Sequence, residues 1–237
     1  MTRIDEPRVG HREVARLAGG LYLTYIFLNV IASLLGRIGL SDANTLRAAI
    51  AGEETLFRLG LVAAIGSGLF FALTAWALYV LLRPVNEAIA LLFLVLNAIG
   101  VAVQCASYLP LLSVLAQQGS STAAPTFDGT AAISVATYQN GFVTAQLFFS
   151  AWLFPLGWLV LRSGFLPRLL GWLLLLDGVG VLVWFLQVFL APDHSAISYP
   201  AWALGFVAEL GLALWLLIRG ASPSRATNKT PAAHSAV

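Results

Sequence analysis

Long charge-free apolar runs, separated by short segments carrying Arg, Asp, Glu or Pro, set the pattern of this chain. Leu17 to Gly36 contains no charge over 20 residues, the length an α-helix at 1.5 Å per residue needs to cross ~30 Å of hydrocarbon. Leu59 to Leu82 is a second such run, closed by Arg58 and Arg83, and Ala88 to about Leu112 is a third that ends softly near Pro110. No charge appears from Glu87 to Asp128, yet the polar stretch from Gln117 to Thr122 and Pro125 interrupts the apolar pattern. One helix followed by an outer loop at 116–130 is therefore expected there, with a plain connector favoured over a lid. A fourth helix begins between Ala131 and Gly141 and runs to Leu161, a fifth covers Leu169 to Leu190, and a sixth follows Pro200, a residue suited to a first helical position. The expected fold is all-α: a polytopic membrane protein with a bundle of six transmembrane helices at about 17–36, 59–82, 88–112, 138–161, 169–190 and 201–218. A short segment, 1–16, precedes this 17–219 domain, and a Ser-, Pro- and Ala-rich tail, 220–237, is expected to be disordered.

Composition agrees with the pattern. Soluble domains are about 45–50% apolar and about 25% charged; this chain is 59% hydrophobic and 10% charged, with mean hydropathy +0.85. A formal charge of +2, with Arg residues spaced rather than clustered, excludes nucleic acid as a partner. Charge instead sets topology. Ten of the thirteen basic residues, including Arg12, Arg16, Arg83, Arg162, Arg168 and Arg219, fall on one side, whereas Arg37, Arg47 and Arg58 share the other with Asp42, Glu53, Glu54, Asp128 and Asp193. The positive-inside rule then places both termini in the cytoplasm. The first run is too long for a signal-peptide core of 7–15 residues and reads as an uncleaved span. The lone cysteine, Cys105, permits no intramolecular disulfide.

Three helix ends repeat a motif in which an aromatic residue stands four before an Arg: Tyr79 and Arg83, Trp158 and Arg162, Trp215 and Arg219. One turn of helix puts the ring at the headgroup boundary and the guanidinium beyond it, an interfacial anchor with scope for a cation–π contact. Arg83 with NAIG at 97–100 also echoes Arg162 with DGVG at 177–180, a hint that helices two and three duplicate four and five. Between the first two spans, Ala43, Leu46, Ala49 and Ile50 share one face of a short amphipathic helix expected to lie on the outer surface. Glu54 and Arg58 form an i,i+4 pair.

Two acids interrupt the apolar runs. Asp177 lies nine residues past Arg168 and Glu209 ten before Arg219, ~13–15 Å from the basic flank. Neither stretch holds a basic residue. An ionisable side chain at the bilayer centre costs at least ~2.5–3.5 kcal/mol, which makes each a candidate ion- or ligand-binding residue. Asn97, Tyr25 and Thr74 fall at the same depth, so five helices contribute one polar layer, with Asn29, Gln104, Gln146 and Gln187 further out. Buried acids in such a layer are expected to be neutral or to share a proton, bonded to Asn97, Thr74 or Tyr25. The alternative is interhelical adhesion worth roughly 0.6–2 kcal/mol per group, favoured for Asn97 and Thr74. Small residues beside the acids, Gly178, Gly205 and Gly211, and Ala64 with Gly68 on the second span, suit close helix packing. Pro155 is expected to bend the fourth helix.

His11, His194 and His234 lie outside the spans, so neither an axial haem pair nor a transition-metal cage is expected. The chain has no phosphate-binding loop, dinucleotide fingerprint or HExxH. No catalytic residue, metal or cofactor is assigned. An enzyme would have to use Asp177 and Glu209 as an aspartyl pair, which ranks last. A small proton- or cation-coupled permease and a non-catalytic membrane partner or assembly factor rank ahead. The corresponding partners are the lipid bilayer, a small ion or molecule, and a second protein or another copy.

RLAGGLYL at 16–23, LYVLLRPVNEAIALL at 78–92, FPLGWLVLRSGFLPRLLGWLLLLDGVG at 154–180 and AELGLALWLLIRG at 208–220 resemble the domain of unknown function 4386 family. RSGFLPRLLG is the most specific part, and the resemblance extends through residue 220. It implies a six-span protein of the bacterial inner membrane and no catalytic role for any residue, and Glu209 matches an acidic position of the last helix.

The topology is testable by thiol labelling. Cysteine introduced at Asn86 or Ser163 should react only from the cytoplasmic side, and at Ser121 only from outside; the reverse pattern overturns the orientation.

Overall fold

The computed structural model describes residues 10–39, 43–118, 124–194, 196 and 199–221. Arg3, Arg8, Asp42, most of the tail and the centre of the expected outer loop, 119–123, lie outside them. The described residues are all-α: α1 Gly10–Gly36, α2 Ala43–Gly52, α3 Glu54–Leu82, α4 Glu87–Ser107, α5 Leu109–Gln118, α6 Ala124–Ser163, α7 Arg168–Leu190 and α8 Tyr199–Ile218. Among these residues five helical stretches are long and apolar enough to cross a membrane: α1, α3, α4 with most of α5, α6 from Ala131, and α7. The apolar part of α8 recorded there is shorter, Ala203–Ile218.

Local chemistry explains the boundaries. Asn86 caps α4, its Oδ1 accepting the Ile89 N–H at 3.0 Å. Pro110 cannot donate to the preceding turn, and the ladder tightens to Tyr108 N–H to Cys105 O and Leu111 N–H to Tyr108 O before α5 continues. The loop expected at 116–130 is thus mostly helix: α5 reaches Gln118 and α6 starts at Ala124. Gln117 and Gln118 end α5 and Pro125 lies in the first turn of α6, so the loop reading is withdrawn for the described residues of this segment. Pro155 lies inside α6 without ending it.

Consecutive long helices pack on one another, α1 on α3, α3 on α4, α4 on α6, α6 on α7 and α7 on α8, and α1 also touches α8, closing the sequence of contacts. The centre is aromatic at the end that carries Arg83, Arg162 and Arg219. Phe71 stacks on Tyr25 at 4.1 Å and meets Trp152 edge-on at 5.1 Å, and Trp152 packs on Phe93 at 6.2 Å. A second cluster at the opposite end joins Leu46 and Ile50 of α2 to Phe57, Tyr108, Leu111 and Tyr138. The apolar face of α2 is therefore turned onto protein, not spread on the lipid surface, because α6 and α3 pack against it. Tyr138 Oη accepts the Gly39 N–H at 2.8 Å and ties down the connection.

The packing is inside-out relative to a soluble domain. On α3 the buried face carries Gly60, Ala64, Ser67, Gly68, Phe71 and Thr74, while Val62, Ile65, Leu69, Leu73 and Trp76 form an exposed stripe. On α7 the exposed stripe is Leu169, Trp172, Leu176, Val179, Val183 and Leu186. Small residues inside and large apolar ones outside are what lipid selects, since burying apolar surface between helices gains little there. Glycines set the closest approaches. A methyl at Gly60 would lie 2.5 Å from Gly36 Cα, joining α1 to α3; one at Gly171 would lie 3.0 Å from Gly157 O, joining α6 to α7. In α3 and α4 the corresponding contact is Gly68 on Cys105, at another level, so the two suspected duplicate hairpins cross differently.

Adjacent glycines of α1 make a controlled test. A methyl at Gly19 would fall 2.7 Å from Ala213 O and closer still to Leu217 N, whereas at Gly20 it meets only a Leu217 methyl at 4.0 Å. Gly19→Ala should lower the thermal unfolding midpoint in detergent, costing about 1–3 kcal/mol, and Gly20→Ala should be neutral or stabilising because it only raises helix propensity. Equal effects would mean that α1 and α8 do not pack as described.

Candidate functional site

Glycine contacts bring the two acids to one place. Gly205 of α8 lies against Asp177 of α7: a methyl there would sit 2.7 Å from Asp177 Oδ1 and 3.3 Å from its Cγ. Absence of that methyl is what lets the carboxyl rest on the α8 backbone. Asp177 is held from behind by α6, where Ser150 Oγ donates to Gly178 O at 2.8 Å and Gly178 abuts Leu153 and Phe154. One turn beyond Gly205 on the packed face of α8 comes Glu209, flanked by buried Ala208, Leu212 and Ala213. Neither carboxyl is placed on a lipid stripe.

α1 supplies the third side. Gly19 touches the α8 backbone at Ala213 and Leu217, and α1 and α8 run antiparallel, so Tyr22, one turn on from Gly19, meets Glu209, one turn back from Ala213. Asp177, Glu209, Tyr22 and Tyr25 are close enough to interact electrostatically, and Tyr22 Oη faces Glu209 without closing a hydrogen bond of ordinary geometry. Both Asp177 oxygens and Tyr22 Oη are buried without a hydrogen-bond partner. Asp177 is 1% exposed and Tyr22 0%, while Glu209 is half-buried. The ion pair between described residues, Arg58 to Glu54, lies at the exposed surface far along α3.

The five-residue layer divides. Thr74 Oγ1 donates to Phe70 O of its own helix at 2.8 Å, which satisfies it locally and removes it from the site. Asn97 is fully buried with both side-chain polar atoms unpartnered, but it lies on the face of α4 formed by Phe93, Asn97, Gly100 and Gln104, and Gly100 abuts Phe149 of α6. α4 packs on α3 and α6, so Asn97 belongs to a different interface from the acids. Tyr25 remains, stacked on Phe71. Of the polar residues further out, Asn29 bonds to Tyr25 O, Gln146 to Phe142 O and Gln187 to Ala191 O, each on or at the end of its own helix. Asp177 is level with Gly205 and not with Glu209. Depths counted from Arg168 and Arg219 assume that both flanks start at one height, and α8 is displaced by about one turn, ~6 Å. Tyr22 was not singled out from the sequence, although its i−3 relation to Tyr25 puts both on one helix face.

Two of the three aromatic–Arg anchors show cation–π geometry, Arg162 over Trp158 at 5.2 Å and Arg219 over Trp215 at 5.7 Å. For Tyr79 and Arg83 the contact recorded is the backbone bond from Arg83 N–H to Tyr79 O at 2.8 Å.

An all-α chain whose long helices bury glycine, serine and carboxyl groups and expose apolar stripes is a membrane protein with several spanning-length helices. Comparison with known proteins refines this class. The family model described as Domain of unknown function (DUF4386) matches residues 17–220, and the chain belongs to that family. No curated protein and no solved structure matches it.

The contact at Gly205 yields a double-mutant cycle. Gly205→Ala should destabilise by about 1–3 kcal/mol, because its methyl displaces the Asp177 carboxyl. In an Asp177→Ala background the same substitution should cost at least ~1 kcal/mol less. Additive thermal-unfolding effects would separate the two residues.

Proposed function

We propose that this is a six-span inner-membrane protein, with both termini cytoplasmic, that acts as a small proton- or cation-coupled permease without catalytic activity. Asp177 and Glu209 bind the ion, and Tyr22 and Tyr25 line its site. The observation that carries this reading is the burial of Asp177 with neither oxygen hydrogen-bonded, beside a second acid that the Tyr22 hydroxyl faces. Unmet buried polar groups cost ~1–3 kcal/mol each, more than the ~0.6 kcal/mol that interhelical hydrogen bonds average in membranes. Adhesion is therefore a poor account of Asp177, which makes no such bond. A proton or a small monovalent cation between the carboxyls supplies the missing partner.

α8 supports the sixth span: it has 20 residues from Tyr199 to Ile218, and its inward face closes α7 against α1. The distribution of Arg residues supports the orientation.

Asp177→Asn and Glu209→Gln keep size and hydrogen-bonding capacity while deleting ionisation. Purified variants should unfold at temperatures within a few degrees of the parent. In proteoliposomes carrying an internal pH dye, ion-driven pH change should fall at least ten-fold in each. Retention of the parental flux by both variants, or no flux in the parent, would overturn the permease reading.

A further inference from the structure

The structure assigns a second binding site, at the opposite end of the protein, to a phospholipid headgroup bearing both a phosphate and a primary amine. A half-open cleft of about 390 Å³ lies where α1 ends, α2 passes and α3 begins, within the ~300–1,000 Å³ range of small-molecule sites. Leu34, Leu35, Ala48 and Leu56 form its apolar walls, and Arg37 and Glu53 supply one charge of each sign. Leu34 and Leu56 are exposed at the ends of spanning-length helices, so the walls are at the level where acyl chains meet headgroups.

Three features single out this pair of charges. Arg37 adopts φ +52°, the left-handed region that non-glycine residues seldom occupy and that costs about 1 kcal/mol or more. The positive φ comes where α1 ends and Ile38 N–H turns back to Ala32 O at 3.2 Å, and this turn leaves the exposed Arg37 lining the cleft. Glu53 stands at the N-cap of α3 but makes no capping hydrogen bond with its side chain, which leaves the carboxylate to the cleft. Arg58, another basic residue at this end, is bound to Glu54, whereas no ion pair is recorded for Arg37 among the described residues.

The complementarity is zwitterionic. A guanidinium matches a phosphate in a two-pronged hydrogen-bonded arrangement. The carboxylate accepts N–H bonds from an ammonium, which a quaternary amine cannot donate. Phosphatidylethanolamine fits both charges, phosphatidylglycerol satisfies only Arg37, and phosphatidylcholine lacks the donors for Glu53. This site is independent of the acids on α7 and α8.

The full-length protein in nanodiscs of equimolar phosphatidylethanolamine, phosphatidylcholine and phosphatidylglycerol, released into native mass spectrometry, tests the assignment. The parent should retain phosphatidylethanolamine at least five-fold over either competitor. Arg37→Asn, which tolerates the left-handed backbone, and Glu53→Gln should each reduce that ratio to within two-fold of one. Preference for phosphatidylglycerol, lack of preference in the parent, or full selectivity in both variants would overturn it. The parent's competition result decides the question even if a variant fails to fold.

Discussion

Close backbone approach at glycine is the constraint on which the acid site depends. In hydrocarbon, helices gain little by exchanging lipid for side chains, so association relies on van der Waals contact between surfaces that can come very near. Gly19 lets α1 lie on Ala213 and Leu217 of α8, and Gly205 lets Asp177 of α7 lie on the α8 backbone. Larger residues at those positions would separate the three helices by at least a methyl radius. Tyr22, Asp177 and Glu209 would then no longer share one space.

Polar groups within the spans follow two regimes. Thr24, Asn29, Ser67, Thr74, Ser107 and Gln146 each bond to a carbonyl of their own helix. This solution is available three or four residues back and needs no neighbour. An ionised carboxylate cannot use it, because it accepts without donating and helix carbonyls only accept; a protonated acid has one O–H to give. Neither Asp177 oxygen makes such a bond, in a helix environment that satisfies almost any hydroxyl or amide. Asn97, whose amide could bond to its own helix and does not, is the exception on α4; nothing in the structure explains its unpartnered atoms.

The two ends of the protein solve different problems. At the Arg83, Arg162 and Arg219 end the core is aromatic, with Phe71 and Trp152 at its centre, and indole rings of Trp158 and Trp215 hold their arginines in place. At the other end α2 and α5 fold over the long helices, and Leu46, Ile50, Tyr108 and Tyr138 are buried against protein. The acids lie at the level of the aromatic core, which reaches them through Tyr25, stacked on Phe71.

Much of this fold is legible in the sequence because lipid imposes a one-dimensional rule. A helix crossing hydrocarbon must be long, apolar and free of unmet charge, so residue order alone pointed to the five spanning-length helices found among the described residues, to the family and to the two anomalous acids. The aromatic–Arg contacts at Trp158 and Trp215 were equally local, being one turn apart on a single helix. The relative heights and rotations of the helices were not legible, since they depend on side chains of different segments fitting together. Depth counted along the chain put Asp177 level with Glu209, yet Asp177 meets Gly205, one turn earlier on α8, while the two acids stay within electrostatic reach. It grouped Asn97 and Thr74 with the acids, yet α4 packs elsewhere and Thr74 turns to its own backbone. Periodicity made α2 amphipathic, but only the tertiary structure decided that its apolar face meets α6 and α3. Sequence determines which groups must be buried or paired; which group meets which is decided by where glycine allows two backbones to touch.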